Sequence, residues 1–140
     1  MEAAACIAKY AGIVLLRGFE TWEVLSVLTL RQNIYTDPQK PLQIDSKLYA
    51  VGAVNRNSPV LVTTNFSLSY FTVLGEVEPS KVPAYILSVD TQGMSVLTAW
   101  AAEKFNAEAI TKALAAFGVK DTVGHDRLVI PGYDASRIAG

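Results

Sequence analysis

The chain has 140 residues, enough for a core of ordinary size, and 51% of them are hydrophobic against 18% charged, which excludes a disordered polypeptide. Twelve basic and thirteen acidic residues leave a formal net charge of −1 with no basic stripe, so nucleic acid is not an expected partner. Cys6 is the sole cysteine, which excludes an intrachain disulfide, a cysteine-rich zinc site and an iron–sulfur cluster ligated by this chain alone.

From the N-terminus, Met1 to Cys6 lacks the basic start of a secretory signal. The apolar runs stay well short of the roughly twenty residues that a membrane span needs. A cytoplasmic location with no membrane is expected. Gly12-Ile13-Val14-Leu15-Leu16 reads as a buried strand, and Trp22, Leu25 and Leu28 recur at helical spacing after it. A lone βα unit cannot cover its own apolar faces, so residues 1–35 must pack on something else. Thr36 to Pro59 holds three prolines, Gly52 and many polar residues. Residues 36–58 read as a linker, with a short extended piece at Leu48 to Val51.

Residues 59–140 follow a regular α/β pattern. A strand over 60–63 leads to a helix with Leu68, Phe71 and Leu74 on one face. A strand over 84–89 leads through Asp90-Thr91-Gln92-Gly93 to a helix carrying Met94, Leu97, Ala101 and Phe105. A further helix puts Ile110, Leu114 and Phe117 inward and ends at Gly118 as its C-cap. The last strand, 127–130, stops at Pro131-Gly132. Apolar strands alternating with helices predict an open parallel sheet covered on both faces, of the Rossmann or flavodoxin-like class.

Standard catalytic constellations are missing, since His125 is the only histidine and neither G-x-G-x-x-G nor a P-loop occurs. No catalytic residue is assigned. Asp90, at a strand end, is either a helix cap or a base or metal ligand, and the cap is favoured for want of an acidic or histidine partner nearby. Thr63, Thr64, Asn65, Ser67 and Ser69 cluster beyond the first strand of this sheet. One or two would suffice for a turn and a cap. Five small hydrogen-bonding groups without a charge suit a large neutral ligand rich in amides and hydroxyls. Gly93-Met94-Ser95-Val96 opens the second helix, where glycine permits close approach and the first N–H groups lack internal partners.

Val60 to Phe71, Asp90 to Trp100 and Leu128 to Tyr133 together resemble one family. It is the C-terminal, corrinoid-binding domain of the large (gamma) subunit of the corrinoid iron–sulfur protein, from the carbon monoxide dehydrogenase/acetyl-CoA synthase system. Arg31 to Pro41 resembles the family's exit from a TIM-type barrel, which implies that residues 1–35 are the barrel's last βα unit. The resemblance implies a methyl carrier that accepts a methyl group from a methylated pterin at Co(I) and delivers it to acetyl-CoA synthase in the reductive acetyl-CoA pathway. Implied partners are the small subunit, in a heterodimer, a methyltransferase and acetyl-CoA synthase. The family's 4Fe–4S cluster belongs to an N-terminal segment that this chain does not contain. The family pattern continues beyond Arg137 to Gly140, which implies a chain truncated within the domain.

By resemblance, the cofactor-binding residues are Thr63, Ser69, Gly93, Met94, Ser95 and Val96. The family more often has threonine at the position of Ser69, and serine keeps the hydroxyl. Ser95-Val96-Leu97 also resembles the Ser-x-Leu element of cobalamin domains. Many of those domains carry a cobalt-ligating histidine in Asp-x-His-x-x-Gly, and the turn from Thr63 to Ser69 has none. His125 precedes its strand while ligands gather where strands end. The implied corrinoid is therefore base-off with no protein axial ligand, and no metal-ligating residue is assigned. Two other readings stand beside this one: a fold-retaining fragment without corrinoid binding, and a nucleotide-binding flavodoxin-like module, disfavoured for want of a phosphate loop.

Overall fold

In the computed structural model, which describes residues 2–37 and 40–132, the chain divides between Leu42 and Gln43 into two units. The first contains helices α1 (Glu2–Ala8) and α2 (Thr21–Ile34) and an antiparallel pair, β1 (Tyr35–Asp37) and β2 (Lys40–Pro41). Ile34 and Tyr35 are its buried residues. The Tyr35 hydroxyl donates to the Ile7 carbonyl at 3.1 Å, which ties the end of α2 to α1. The helix expected around Trp22, Leu25 and Leu28 is present, but all three side chains are exposed. The buried strand expected over Gly12–Leu16 is absent, with Ile13 85% and Leu15 93% exposed. A strand is held by its neighbours' ladders, and the β1–β2 pair does not extend to this stretch. A cavity of about 1080 Å³ opens between α1, residues 13–17 and α2.

The second unit is built on four strands in the order β3-β5-β4-β6: β3 (Leu48–Val51), β4 (Val60–Thr64), β5 (Ala84–Val89) and β6 (Leu128–Val129). β4, β5 and β6 are parallel, with Val62 opposite Leu87 and Val60 opposite Leu128. The sheet is mixed rather than all-parallel. Leu48–Val51, the extended piece expected within the linker, runs antiparallel to β5 along one edge. The strand expected over 127–130 forms ladder pairs only at Leu128 and Val129. Tyr133 and the Arg137 to Gly140 segment lie outside the described residues.

Side chains alternate across the sheet, so each strand feeds two cores. Val60, Val62, Leu87 and Val89 face α4 (Val96–Ala101), α5 (Ala107–Ala116) and α6 (Val119–Thr122), meeting Ala99, Phe105, Ile110, Ala113 and Val119. Ala84 and Ile86 face α3 (Ser67–Ser80), meeting Tyr70 and Val77. Burial on both faces explains why β4 and β5 read as continuous apolar runs. The inward stripe of α3 is Tyr70, Val73, Leu74 and Val77. Leu68 and Phe71, expected inward, face solvent. Tyr70 wins that place because its ring packs on Tyr49 of β3 at 4.7 Å between centroids. Burial pushes both phenols above the usual tyrosine range.

The helix expected from Met94 to Phe105 is only six residues long. The chain turns after Ala101, and Phe105 is buried from that turn. Asn106 then caps α5, its Oδ1 accepting from the Ala109 N–H at 2.9 Å. Asn106→Ala should cost about 1 kcal/mol in urea unfolding. Gly118 follows α5 in the left-handed region at φ 59°, the conformation its expected capping role requires. No helix among the described residues is long and apolar enough to cross a membrane.

Candidate functional site

β4 and β5 are adjacent and parallel, so Thr64 and Val89 reach the same edge of the sheet. Asn65 and Asp90 are the first residues beyond it. Asn65 is 4% exposed, and its backbone N–H donates to the Val89 carbonyl at 2.9 Å while its carbonyl accepts from Ile44 N–H at 3.0 Å. The side chain is equally committed. Oδ1 accepts from the N–H groups of Thr91 at 3.0 Å and Gly93 at 2.9 Å, with the Thr91 hydroxyl at 3.1 Å. Nδ2 donates to Asp90 Oδ1 at 3.1 Å and to Gln43 Oε1 at 3.3 Å.

Asp90 is not a cap of α4. Its Oδ1 accepts from the Gln92 N–H at 2.9 Å, closing a two-residue side-chain turn. Met94 N–H donates to the Thr91 carbonyl at 3.2 Å. All four N–H groups from Thr91 to Met94 are thus used inside the chain. Gln92 and Gly93 are both left-handed, at φ 58° and 75°, and only the second is a glycine. Lys104 Nζ bonds Gln92 Oε1 and supports the less favourable of the two.

The expected site residues fall along this edge. Thr63 points to the α3 side, beside Ser88 in register, and is 1% exposed, so it offers a ligand little surface. Ser67 and Ser69 are in the first turn of α3, Ser67 half-buried and Ser69 likewise part-covered. Across the crevice, Met94 and Val96 lean on the core while remaining half-exposed. Ser95 sits at the N-cap of α4, but its hydroxyl pairs with that of Thr98 at 3.0 Å rather than with a backbone N–H. The Thr64 and Ser88 hydroxyls have no hydrogen-bond partner among the described residues. Residues 60–71 and 91–102 carry no charge, which leaves Asp90 as the carboxylate at this edge.

His125 lies at the other end. Its Nδ1 accepts from the Arg127 N–H at 3.3 Å, which leaves Nε2 to donate to the Ser58 carbonyl at 2.9 Å. Ser58 precedes β4 and His125 precedes β6, so the ring is a strand length, roughly 13 Å, from the crevice. Among the described residues, no group of three or more His, Cys, Asp or Glu could hold a metal ion. What sequence reasoning missed is the role of Asn65. An asparagine ending a β-branched run, with Asp-Thr-Gln-Gly ending the next, is the signal that could have found it.

Residues 1–138 match the family described as CO dehydrogenase/acetyl-CoA synthase delta subunit. The chain belongs to that family. It is 49% identical over 132 residues to the corrinoid/iron-sulfur protein large subunit of Moorella thermoacetica, an alignment covering 94% of this chain and 30% of that protein. It is 43% identical to the acetyl-CoA decarbonylase/synthase complex subunit gamma of Methanothermobacter thermautotrophicus, over 95% of this chain and 29% of that one. The same subunit of Methanopyrus kandleri is 41% identical over 96% and 29%. The family description names a delta subunit while these relatives are large or gamma subunits. The chain spans about 30% of the length of these relatives.

Proposed function

We propose that this chain supplies one wall of a corrinoid site in a methyl carrier of the CO dehydrogenase/acetyl-CoA synthase system. The observation that carries the reading is the edge where β4 and β5 end, rich in small polar groups and with Asp90 as the one charged residue among 60–71 and 90–102, on a chain 49% identical to a corrinoid/iron-sulfur protein large subunit. The residues fit the group. A corrinoid is large and studded with neutral amides, and hydroxyls can meet those without desolvating a charge. Ser69 and Ser95 offer such hydroxyls from half-exposed positions shortly after β4 and β5. Thr63 supports the floor beneath them, Gly93 permits the left-handed turn, and Met94 and Val96 give apolar contact. A bound corrinoid supplies the cobalt that accepts and releases the methyl group.

The protein's part is to bind, orient and leave the cobalt without a ligand from below. His125 is engaged with Ser58 and Arg127 at the far end of the sheet. Leu68, Phe71 and Leu97 leave apolar surface beside the crevice, which suits cover by the small subunit of the corrinoid iron–sulfur protein. The methyltransferase and acetyl-CoA synthase would be the methyl donor's and acceptor's enzymes, in the cytoplasm. The cluster of such a protein needs cysteines beyond Cys6. Residues 1–35 are assigned by the same reading to the end of a barrel and 59–140 to the corrinoid domain, to whose sheet Leu48–Val51 of the intervening 36–58 contributes an edge strand.

Titration of the chain with cobalamin, followed by visible absorption, tests the reading. Binding should give a base-off spectrum that His125→Ala leaves unchanged, and bound Co(II) should show no histidine nitrogen splitting in electron paramagnetic resonance. A splitting that disappears in His125→Ala would overturn the ligand-free assignment. No spectral change at all would favour a fold-retaining domain that does not bind corrinoid.

A further inference from the structure

The turn from Asp90 to Met94 is closed internally by Gln92 N–H on Asp90 Oδ1, Met94 N–H on the Thr91 carbonyl and the Thr91 hydroxyl on the Met94 carbonyl. It carries two consecutive left-handed residues and lies between the end of β5 and a helix of only six residues. Apart from the bond of Lys104 Nζ to Gln92 Oε1, its hydrogen bonds to the end of β4 are made to Asn65: two backbone N–H groups and one hydroxyl on Oδ1, and the Asp90 carboxylate on Nδ2. Asn65 is itself fixed, because its backbone N–H joins the end of β5 and its carbonyl joins Ile44. An amide side chain is needed there. Oδ1 must accept while Nδ2 must donate to a carboxylate, and neither aspartate nor leucine does both. We propose that Asn65 and Asp90 are positioning residues that lock the Thr91–Met94 turn onto the exit of β4. The width between the Ser67–Ser69 wall and the Gly93–Val96 wall is thereby set before a ligand arrives.

This inference deepens the corrinoid reading and rests on it only for the identity of the ligand. Asn65→Asp tests it, because the new carboxylate can still accept from Thr91 and Gly93 but faces Asp90 with no proton between them. Repulsion at that distance should release the turn. The paired variant Asn65→Asp/Asp90→Asn exchanges donor and acceptor. The amide introduced at position 90 then donates through its Nδ2 to the carboxylate introduced at position 65 and gives up the Gln92 N–H, which in the wild type shares the same Asp90 oxygen, so recovery is expected at Thr91 and Gly93 and not at Gln92. The first readout is amide hydrogen exchange in the full chain. Exchange at Thr91 and Gly93 should rise at least about tenfold in Asn65→Asp, remain unchanged at Ile86 and Leu87, and return toward wild type in the paired variant. The second readout is cobalamin affinity by visible titration, expected to fall about tenfold and to recover in the same order.

Unchanged exchange at Thr91 and Gly93 in Asn65→Asp, or failure of the paired variant to restore it, overturns the proposal. So does a rise spread over the whole sheet that the pair does not reverse, which would mark Asn65 as a general stability residue. If wild type shows no cobalamin binding while the exchange pattern follows the expected order, the positioning role stands and the corrinoid reading fails.

Discussion

Phe105→Ala should destabilise the second unit by about 3–5 kcal/mol, whereas Phe71→Ala should stay within about 0.5 kcal/mol of wild type. The two residues are both aromatic and both fall on helical stripes in the sequence. Phe105 is 0% exposed and plugs the core between the sheet and the α4–α6 side, while Phe71 is 57% exposed on the outer face of α3. Truncating the first leaves a cavity beneath the turn into α5, and truncating the second removes atoms that water already touches. A domain of this size is stable by only about 5–15 kcal/mol, so the first loss should be plain in urea unfolding followed by far-ultraviolet circular dichroism. Equal losses for the two variants would mean that α3 presents its other face to the sheet. Because α4 packs through Ala99 into the same core as Phe105, cobalamin affinity should fall in the variant even at temperatures where it remains folded.

Gly93→Val should have the next largest effect, about 2 kcal/mol or more on stability. A left-handed residue with a side chain costs roughly 1–2 kcal/mol, and β-branching makes the conformation an outlier. At φ 75°, with its N–H on Asn65 Oδ1, Gly93 cannot relax without breaking that bond. The damage should reach the ligand wall directly, since Met94 to Val96 follow it. A loss of cobalamin affinity of at least about tenfold, by visible titration, is the expected outcome. Wild-type stability and affinity in Gly93→Val would show that the turn tolerates rearrangement.

The centre of this fold was legible because its signals are local. Val60–Thr64 and Ala84–Val89 are apolar runs of strand length between polar turns, and the structure returns them nearly to the residue. Gly118 closes α5 as its glycine predicted, while the Asn106 cap at the other end emerges only in the structure. The face of α3 was not legible for a different reason. Leu68-Phe71-Leu74 and Tyr70-Val73-Val77 are both apolar stripes at helical spacing, and only the presence of Tyr49 on a neighbouring strand decides between them. That neighbour reads in the sequence as an extended piece at Leu48 to Val51, and nothing local to it says which strand it joins or which helix it meets.

At the site, the short polar cluster and the glycine turn were legible as two separate signals. Their connection was not, because Asn65 and the Thr91–Gly93 turn meet only through the pairing of β4 with β5. Residues 12–16 show the opposite failure. Hydrophobicity there reads as strand, but a ladder needs a second strand that the first unit does not place beside it.

The mixed sheet also carries an order of assembly. β4 and β5 are joined by a single helix and share five register pairs, so they close the shortest loop and gain the most ladder for it. β3 must wait for β5, to which it pairs from well upstream. β6 returns to β4 across four helices and β5 and secures only two pairs, Val60 with Leu128 and Leu61 with Val129. Its hold is supplemented from outside the ladder, by Gly124 N–H on the Arg56 carbonyl and His125 on Ser58. This last strand is thus pinned at its entry rather than along its length, and among the strands of the sheet its amides should exchange first on warming.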